Sequence, residues 1–146
     1  DLAVSLGREL PKVAILAAVE TVNSKMQATI DAAALCKMAE RGQITGGLLD
    51  GPLAFDNAIS IEAAKTKGIT SKVAGDPDIL LAPDLEAGNM LAKQLSFLAN
   101  ADSAGLVLGA KVPVILTSRA DSVRSRIASC AVAVIAAHSR RASVTV

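Results

Sequence analysis

PKVAILAAVETVNSKMQATIDAAALCKMAERGQITGGLLDGP, residues 11–52, is the stretch that decides the fold. Its first apolar run, Val13–Val19, follows Pro11 and is too short for a core helix, so it reads as a buried strand. A polar loop with Asn23, Ser24 and Lys25 comes next. Helix signals then run from Thr29, an N-cap residue type, to Arg41, and Gly42 stands where a left-handed cap ends a helix. Ile44–Leu49 returns as a second apolar run, and Gly51-Pro52 marks a turn. Strand, helix, strand in this order is the unit from which parallel sheets covered by helices are made.

Outward from that unit the alternation continues. A helix is predicted from Asp56 to Lys67, with Ile59, Ala63 and Ala64 at helical spacing and Gly68 as its stop. Ile79–Ala82 predicts a short strand. Pro83-Asp84 opens a helix through Phe97 or Leu98, with Leu91, Leu95 and Leu98 on one side. Ala104–Leu108 and Val112–Leu116 predict two further strands. A last helix runs from Ser122 to Ala137, its apolar side marked by Val123, Ile127, Cys130, Val134 and Ile135, with Arg124, Ser125 and Ser129 on the polar side. Gly109–Lys111 is the place where the chain is expected to pass between structural units. The fold class is therefore α/β, a mostly parallel sheet flanked by helices in three layers.

Composition narrows the function classes. Of the 146 residues 51% are hydrophobic but 1% aromatic, leaving Phe55 and Phe97 as the large rings. A small-residue aliphatic core suits layered packing, whereas single-stranded nucleic acid is gripped on aromatic platforms. No apolar run approaches the roughly 20 residues of a membrane-spanning helix, so neither a nucleic acid nor a membrane is expected as partner. The chain opens at Asp1 without an initiator Met or a secretory signal pattern, which suggests a fragment or processed piece. Cys36 and Cys130 make no CxxC pair and are expected to be buried thiols of a cytoplasmic protein. Residues 1–102 carry 9 Lys/Arg against 13 Asp/Glu, while residues 103–146 carry 6 against Asp121 alone. That basic end points to an anionic ligand, with a solvated helix face and basic tail as the equal alternative.

Three segments carry chemistry, each at the C-terminal end of a predicted strand, where open α/β sheets bind ligands. Thr117-Ser118-Arg119-Ala120-Asp121-Ser122 joins a strand to the last helix. Free N–H groups at a helix start attract anions, Arg119 offers a planar permanent cation, and the hydroxyls can bond a carbonyl or phosphate. The competing reading has Asp121 or Ser122 as a helix cap and Arg119 in solvent. In Asp50–Asn57, Gly51 permits an unusual backbone angle and Pro52 stiffens the turn; Asp56 is a base or ligand-orienting group, or a helix N-cap. In Pro83–Asn89, Asp84 has the look of a cap. Gly88 in a first helical turn costs about 1 kcal/mol relative to Ala, a hint that a ligand or backbone approaches closely there.

GPLAFDNAIS at Gly51–Ser60, VAGDPDILLAPDLEAGN at Val73–Asn89 and TSRADS at Thr117–Ser122, with KVAILAAVETVNSKMQATIDAA near the start, resemble in order and spacing the phosphate acetyl/butyryltransferase family. The likeness spans nearly the whole chain and is closer to the phosphobutyryl-type and bifunctional branch, in which an enoyl-CoA hydratase can be fused upstream. It implies a two-domain enzyme about twice as long, isocitrate/isopropylmalate-dehydrogenase-like in fold, with a cleft site. Residues 1–110 would form most of one domain. Residues 111–146 would return to the other, the rest of which is absent. The implied reaction is acyl-CoA + phosphate ⇌ acyl phosphate + CoA, by direct attack in a ternary complex, with coenzyme A as substrate, no bound cofactor and no metal.

The resemblance makes Ser118 the serine at the thioester and Arg119 the arginine that engages substrate or phosphate. The family's acetyl branch places an acid seven positions after that serine; Ser125 stands there, so Asp121 is the substitute candidate for the base. Thr117, Ser122, Gly51, Asp56, Asp84, Gly88 and Asn89 complete the expected substrate contacts. His138, at the end of the last helix, is expected to face solvent. A homodimer or higher homo-oligomer is expected, and the isolated 146 residues are expected to be inactive. The alternatives are a non-catalytic oligomerisation fragment, a metal-dependent decarboxylating dehydrogenase, or an acyl-carrier-protein phosphate acyltransferase of similar architecture. No close Asp-x-x-x-Asp set supports the dehydrogenase.

Overall fold

The computed structural model describes the backbone of residues 1–144 and side chains to residue 141. Contacts divide the chain into two compact units, Arg8–Met90, and Asp1–Gly7 with Leu91 onward. The chain passes from the first unit to the second between Met90 and Leu91.

The first unit is built on a three-stranded parallel sheet of β1 (Lys12–Leu16), β2 (Leu48–Leu53) and β3 (Ile79–Leu81), in the order β2-β1-β3. β1 is central, so Ala14, Ile15 and Leu16 are buried, as the short apolar run requires. The α2 helix (Gln27–Glu40) is the crossover between β1 and β2 and packs against β2. Its end follows the expectation at Gly42, which has φ +74°. Gly42 N–H reaches the Ala39 carbonyl and Gln43 N–H the Met38 carbonyl, the paired bonds of a Schellman motif. The same motif closes α4 (Ile61–Thr66) at Gly68, where Gly68 N–H bonds Lys65 O and Ile69 N–H bonds Ala64 O.

Several local expectations are corrected. Thr29 does not cap α2; the N-cap is Met26, and Thr29 is fully buried two positions inside the helix. Its hydroxyl lies 3.0 and 2.8 Å from the Asn23 and Met26 carbonyls and accepts from Asn23 N–H, so it ties down the preceding loop. The second strand is Leu48–Leu53 rather than Ile44–Leu49, because Ile44 N–H still bonds back to Met38 of the helix end. Gly51-Pro52 consequently lies inside β2 and is no turn. Ala14 pairs with Asp50 and Leu16 with Leu53, so Gly51 and Pro52 together oppose Ile15 as a bulge. The helix expected over Asp56–Lys67 is two, α3 (Phe55–Ile59) and α4. Ser60 interrupts them with extended φ and ψ and caps α4 by accepting from Ala63 N–H.

The second unit holds α1 (Leu2–Ser5), a two-stranded antiparallel pair β4 (Leu106–Val107) and β5 (Val114–Ile115), and α6 (Val123–Val144). The helix α5 (Leu85–Phe97) runs across the boundary between the units and buries none of its residues. The polarity expected for α6 is reversed. Val123, Ile127 and Val134 are 73%, 65% and 68% exposed, while the buried positions are Ser129, Ala133 and Ala136. Small residues sit inside because the helix approaches its neighbours closely there; the large aliphatics point outward. The thiols also differ from expectation, Cys36 being half-buried and Cys130 exposed. Among the described residues no helix is long and apolar enough to cross a membrane.

Candidate functional site

Within the second unit, Thr117–Ser122 forms a tight corner between β5 and α6. Asp121 folds back so that Ser118 N–H donates to its carboxylate at 2.7 Å, and Asp121 N–H donates to the Ser118 carbonyl at 3.1 Å. Ala120 N–H donates to the Ser118 hydroxyl at 3.3 Å. Ser122 is the helix cap, its hydroxyl accepting from Ser125 N–H at 3.1 Å. The loop thus pairs the Ser118, Ala120 and Asp121 N–H groups within itself, and Thr117 and Ser118 are left half-buried.

Arg119 is exposed, and its carbonyl receives the Arg126 guanidinium at 3.5 Å. Two guanidinium-bearing residues therefore meet at one corner, beside two hydroxyl side chains at the start of a helix 22 residues long. Permanent cations and a helix N-terminus in one place favour an anion with several oxygens. Asp121 holds the loop through Ser118 N–H with one of its two carboxylate oxygens.

In the first unit Gly51 lies within β2, and Asp56, Asp84, Gly88 and Asn89 follow strand ends. Gly51 is demanded by packing: a Cβ there would lie 2.7 Å from the Ile15 carbonyl oxygen and 2.8 Å from Ile15 Cβ. Its carbonyl accepts from the Cys36 thiol at 3.4 Å. Burial, then the nearby Asp50 charge, raises the Cys36 thiol above its ordinary value, against a smaller lowering effect of the Gly51 backbone.

Asp56 does not cap α3, since Ala54 holds that position. It instead pairs with the Lys67 ammonium at 3.1 Å, and Lys67 also reaches Glu20 at 3.2 Å. The Lys67 bond is the chief cause that lowers the Asp56 carboxyl, with the Asn57 N–H second. Asp56 in turn is the chief cause that raises Lys67. Asn57, fully buried, donates from its amide to Glu20 at 3.2 Å, while its Oδ1 has no partner.

Asp84 is the expected cap, its carboxylate accepting from Ala87 N–H at 2.7 Å. A Cβ on Gly88 would meet Ala82 at an ordinary 3.5 Å, so within this unit the glycine is not demanded by a close neighbour. Asn89 is exposed.

The structure therefore gathers Thr117, Ser118, Arg119, Asp121 and Ser122 at one corner. It keeps Gly51, Asp56, Asp84, Gly88 and Asn89 in the other unit. Glu20, Lys67 and Arg126 were missed, because isolated charged residues carry no spacing signal; Lys67 meets Glu20 across 47 positions of sequence. A cavity of about 800 Å³ in the second unit is lined by Leu2, Leu108, Lys111 and Arg140 among others, and by no residue of the corner. Among the described residues no group of three or more His, Cys, Asp or Glu could hold a metal ion.

The fold superposes on phosphotransacylases of known structure. The branched-chain phosphotransacylase from Enterococcus faecalis V583 superposes with a TM-score of 0.80 at 37% identity, over 92% of this chain and 48% of that one. The family model described as phosphate acetyl/butaryl transferase matches residues 1–134, and the chain belongs to that family. The phosphate acetyltransferase of Rhizobium meliloti is 70% identical over 98% of this chain and 45% of its own length. The phosphate butyryltransferase of Clostridium beijerinckii is 50% identical over 93% and 45%. The chain thus spans about half the length of the curated relatives it matches.

Proposed function

We propose that this chain is the C-terminal part of a phosphate acyltransferase that interconverts acyl-CoA plus phosphate with acyl phosphate plus CoA. Family membership sets the reaction class, and the Arg119 corner is the observation that carries the site. A phosphate oxygen attacks the thioester carbonyl carbon within a ternary complex. The tetrahedral oxyanion forms, the C–S bond breaks, and CoA thiolate leaves and takes up a proton. Phosphate is a competent nucleophile at neutral pH, so the protein's work is to hold two anions together and to stabilise the oxyanion. Arg119 binds phosphate or the developing charge, the Ser118 hydroxyl bonds the thioester region, and Asp121 holds the loop that presents both. Neither a metal nor a bound cofactor enters this scheme; coenzyme A is a substrate, and the protein works in the cytoplasm.

The fold is read as the three-layer isocitrate-dehydrogenase-like type. The stretch from about residue 111 returns to a second domain whose larger part lies in the remainder of the parent protein. The outward aliphatic face of α6 supports this: Val123, Ile127 and Val134 leave apolar area in water, which a covering domain would remove. Asp56, Asp84, Gly88 and Asn89 are further substrate contacts in this reading, and the parent is a homo-oligomer.

Thiol release from acetyl-, propionyl- and butyryl-CoA on adding phosphate, compared between the full-length protein and the isolated 146 residues, tests this reading. Turnover is expected from the full-length protein and none from the isolated chain. Absence of phosphate-dependent thiol release from the full-length protein with all three would refute the reaction.

A further inference from the structure

Ser129 is a serine in mid-helix with no exposed surface at all. Its hydroxyl donates to the Ser125 carbonyl at 2.7 Å and accepts from Gly105 N–H at 3.0 Å. Gly105 is bonded on its other side too, its carbonyl accepting from Leu116 N–H at 3.1 Å. A Cβ at Gly105 would collide with the Leu116 carbonyl oxygen, so a glycine is needed for this approach. Leu116 directly precedes Thr117, the first residue of the corner. A chain of hydrogen bonds therefore runs from the body of α6 through Gly105 to the strand tip. It is flanked by Ser103, whose hydroxyl reaches Ser125 at 3.4 Å, and by Ser125 and Ser122 at 3.1 Å.

We propose that Ser129 is a positioning residue for the Thr117–Ser122 corner: acting through Gly105, it fixes the end of β5 against α6 and so sets where Ser118 and Arg119 stand. The helix alone would not do this. Its own covalent link fixes the Ser122 end of the loop, and at the other end the β4–β5 ladder is two pairs long. A buried hydroxyl with a donor on one side and an acceptor on the other gives the strand tip one position, because losing it strands the Gly105 N–H. The catalytic half of this proposal rests on the function proposed above, whereas the clamp itself does not.

The test uses the full-length protein carrying Ser129→Ala, Ser129→Thr and, as a control, Ala136→Gly. Ala136 is also buried in α6, so the control loosens the helix without touching the clamp. Amide hydrogen exchange at Gly105, Leu116 and Ser118 is expected to speed up about five- to tenfold in Ser129→Ala and not in Ala136→Gly. The KM for phosphate is expected to rise by a similar factor in Ser129→Ala alone, and Ser129→Thr, which keeps the hydroxyl, is expected to restore both readings. Exchange at Leu116 and Ser118 unchanged in Ser129→Ala would overturn the clamp whatever the activity. Faster exchange with an unchanged phosphate KM in an active enzyme would overturn the positioning role. An inactive wild-type protein would remove the functional reading, and the positioning role with it, while exchange still decided the clamp.

Discussion

The two units differ in how they use the same kind of residue. Between Arg8 and Met90, aliphatic side chains close over a central strand, and Leu53, Val73, Ala58 and Ala64 are shielded from water. Beyond Met90, the described interior contains Ala133, Ala136 and Ser129, while Val107, Val114, Ile115, Val123, Ile127 and Val134 are exposed. An interior of alanine and serine supplies little hydrophobic stabilisation, since that scales with apolar area removed from water. The first unit is a core in its own right. The second leaves most of its large aliphatics exposed.

Truncations read that contrast most strongly. Leu53→Ala should destabilise the isolated chain by about 2–5 kcal/mol, the usual range for emptying a buried leucine site. Ile127→Ala should change it by no more than about 0.5 kcal/mol, as for an exposed position. In the full-length protein Ile127→Ala should become clearly destabilising. Denaturant unfolding of both proteins measures this, and an Ile127 effect equally small in the full-length protein would mean that nothing covers α6.

The helix caps sharpen the comparison at a smaller scale. Asp84→Ala and Ser122→Ala should each cost about 1 kcal/mol. Exchange protection is expected to fall in the first turn of the affected helix alone; a loss spread over both units would contradict independent behaviour.

The smallest effect is one of pH and belongs to the first unit. Asp56 is lowered from its ordinary 3.8, so its contribution to stability is complete above that pH and is lost as pH falls through the lower folded value. Lys67 is raised from 10.5, so its contribution holds up to that pH and is lost as pH rises through the higher folded value. Thermal unfolding across pH should show both limbs shallower in Lys67→Met. Because both groups are in contact with solvent, salt should weaken the difference; limbs identical in wild type and Lys67→Met would deny the pair any role.

What was legible in the sequence follows from range. Helix ends marked by Gly42 and Gly68 and the cap at Asp84 are decided by neighbours within a turn or two and were placed correctly, as was the start of the central strand, which ends at Leu16 rather than at Val19. The bulge at Gly51-Pro52 depends on register with β1, and the break at Ser60 on how two short helices pack, so neither could be read locally. The face of α6 was inverted for a physical reason. Hydrophobic periodicity marks a helix face as apolar without saying what covers it, and here Val123, Ile127 and Val134 are exposed while Ser129, Ala133 and Ala136 are buried. The corner at Thr117–Ser122 was found from residue types. Its clamp was not, because Ser129 shows its role only once Gly105 is seen beside it.

The central claim is that the guanidinium at this corner engages phosphate. Steady-state thiol release by the full-length protein, with phosphate varied at saturating acyl-CoA, tests it in Arg119→Ala against His138→Ala. The account predicts a loss in kcat/KM for phosphate of about a hundredfold or more for Arg119→Ala, with the exposed His138→Ala within about twofold of wild type. Equal losses in the two variants, or an Arg119→Ala enzyme whose use of phosphate is unchanged, would contradict it.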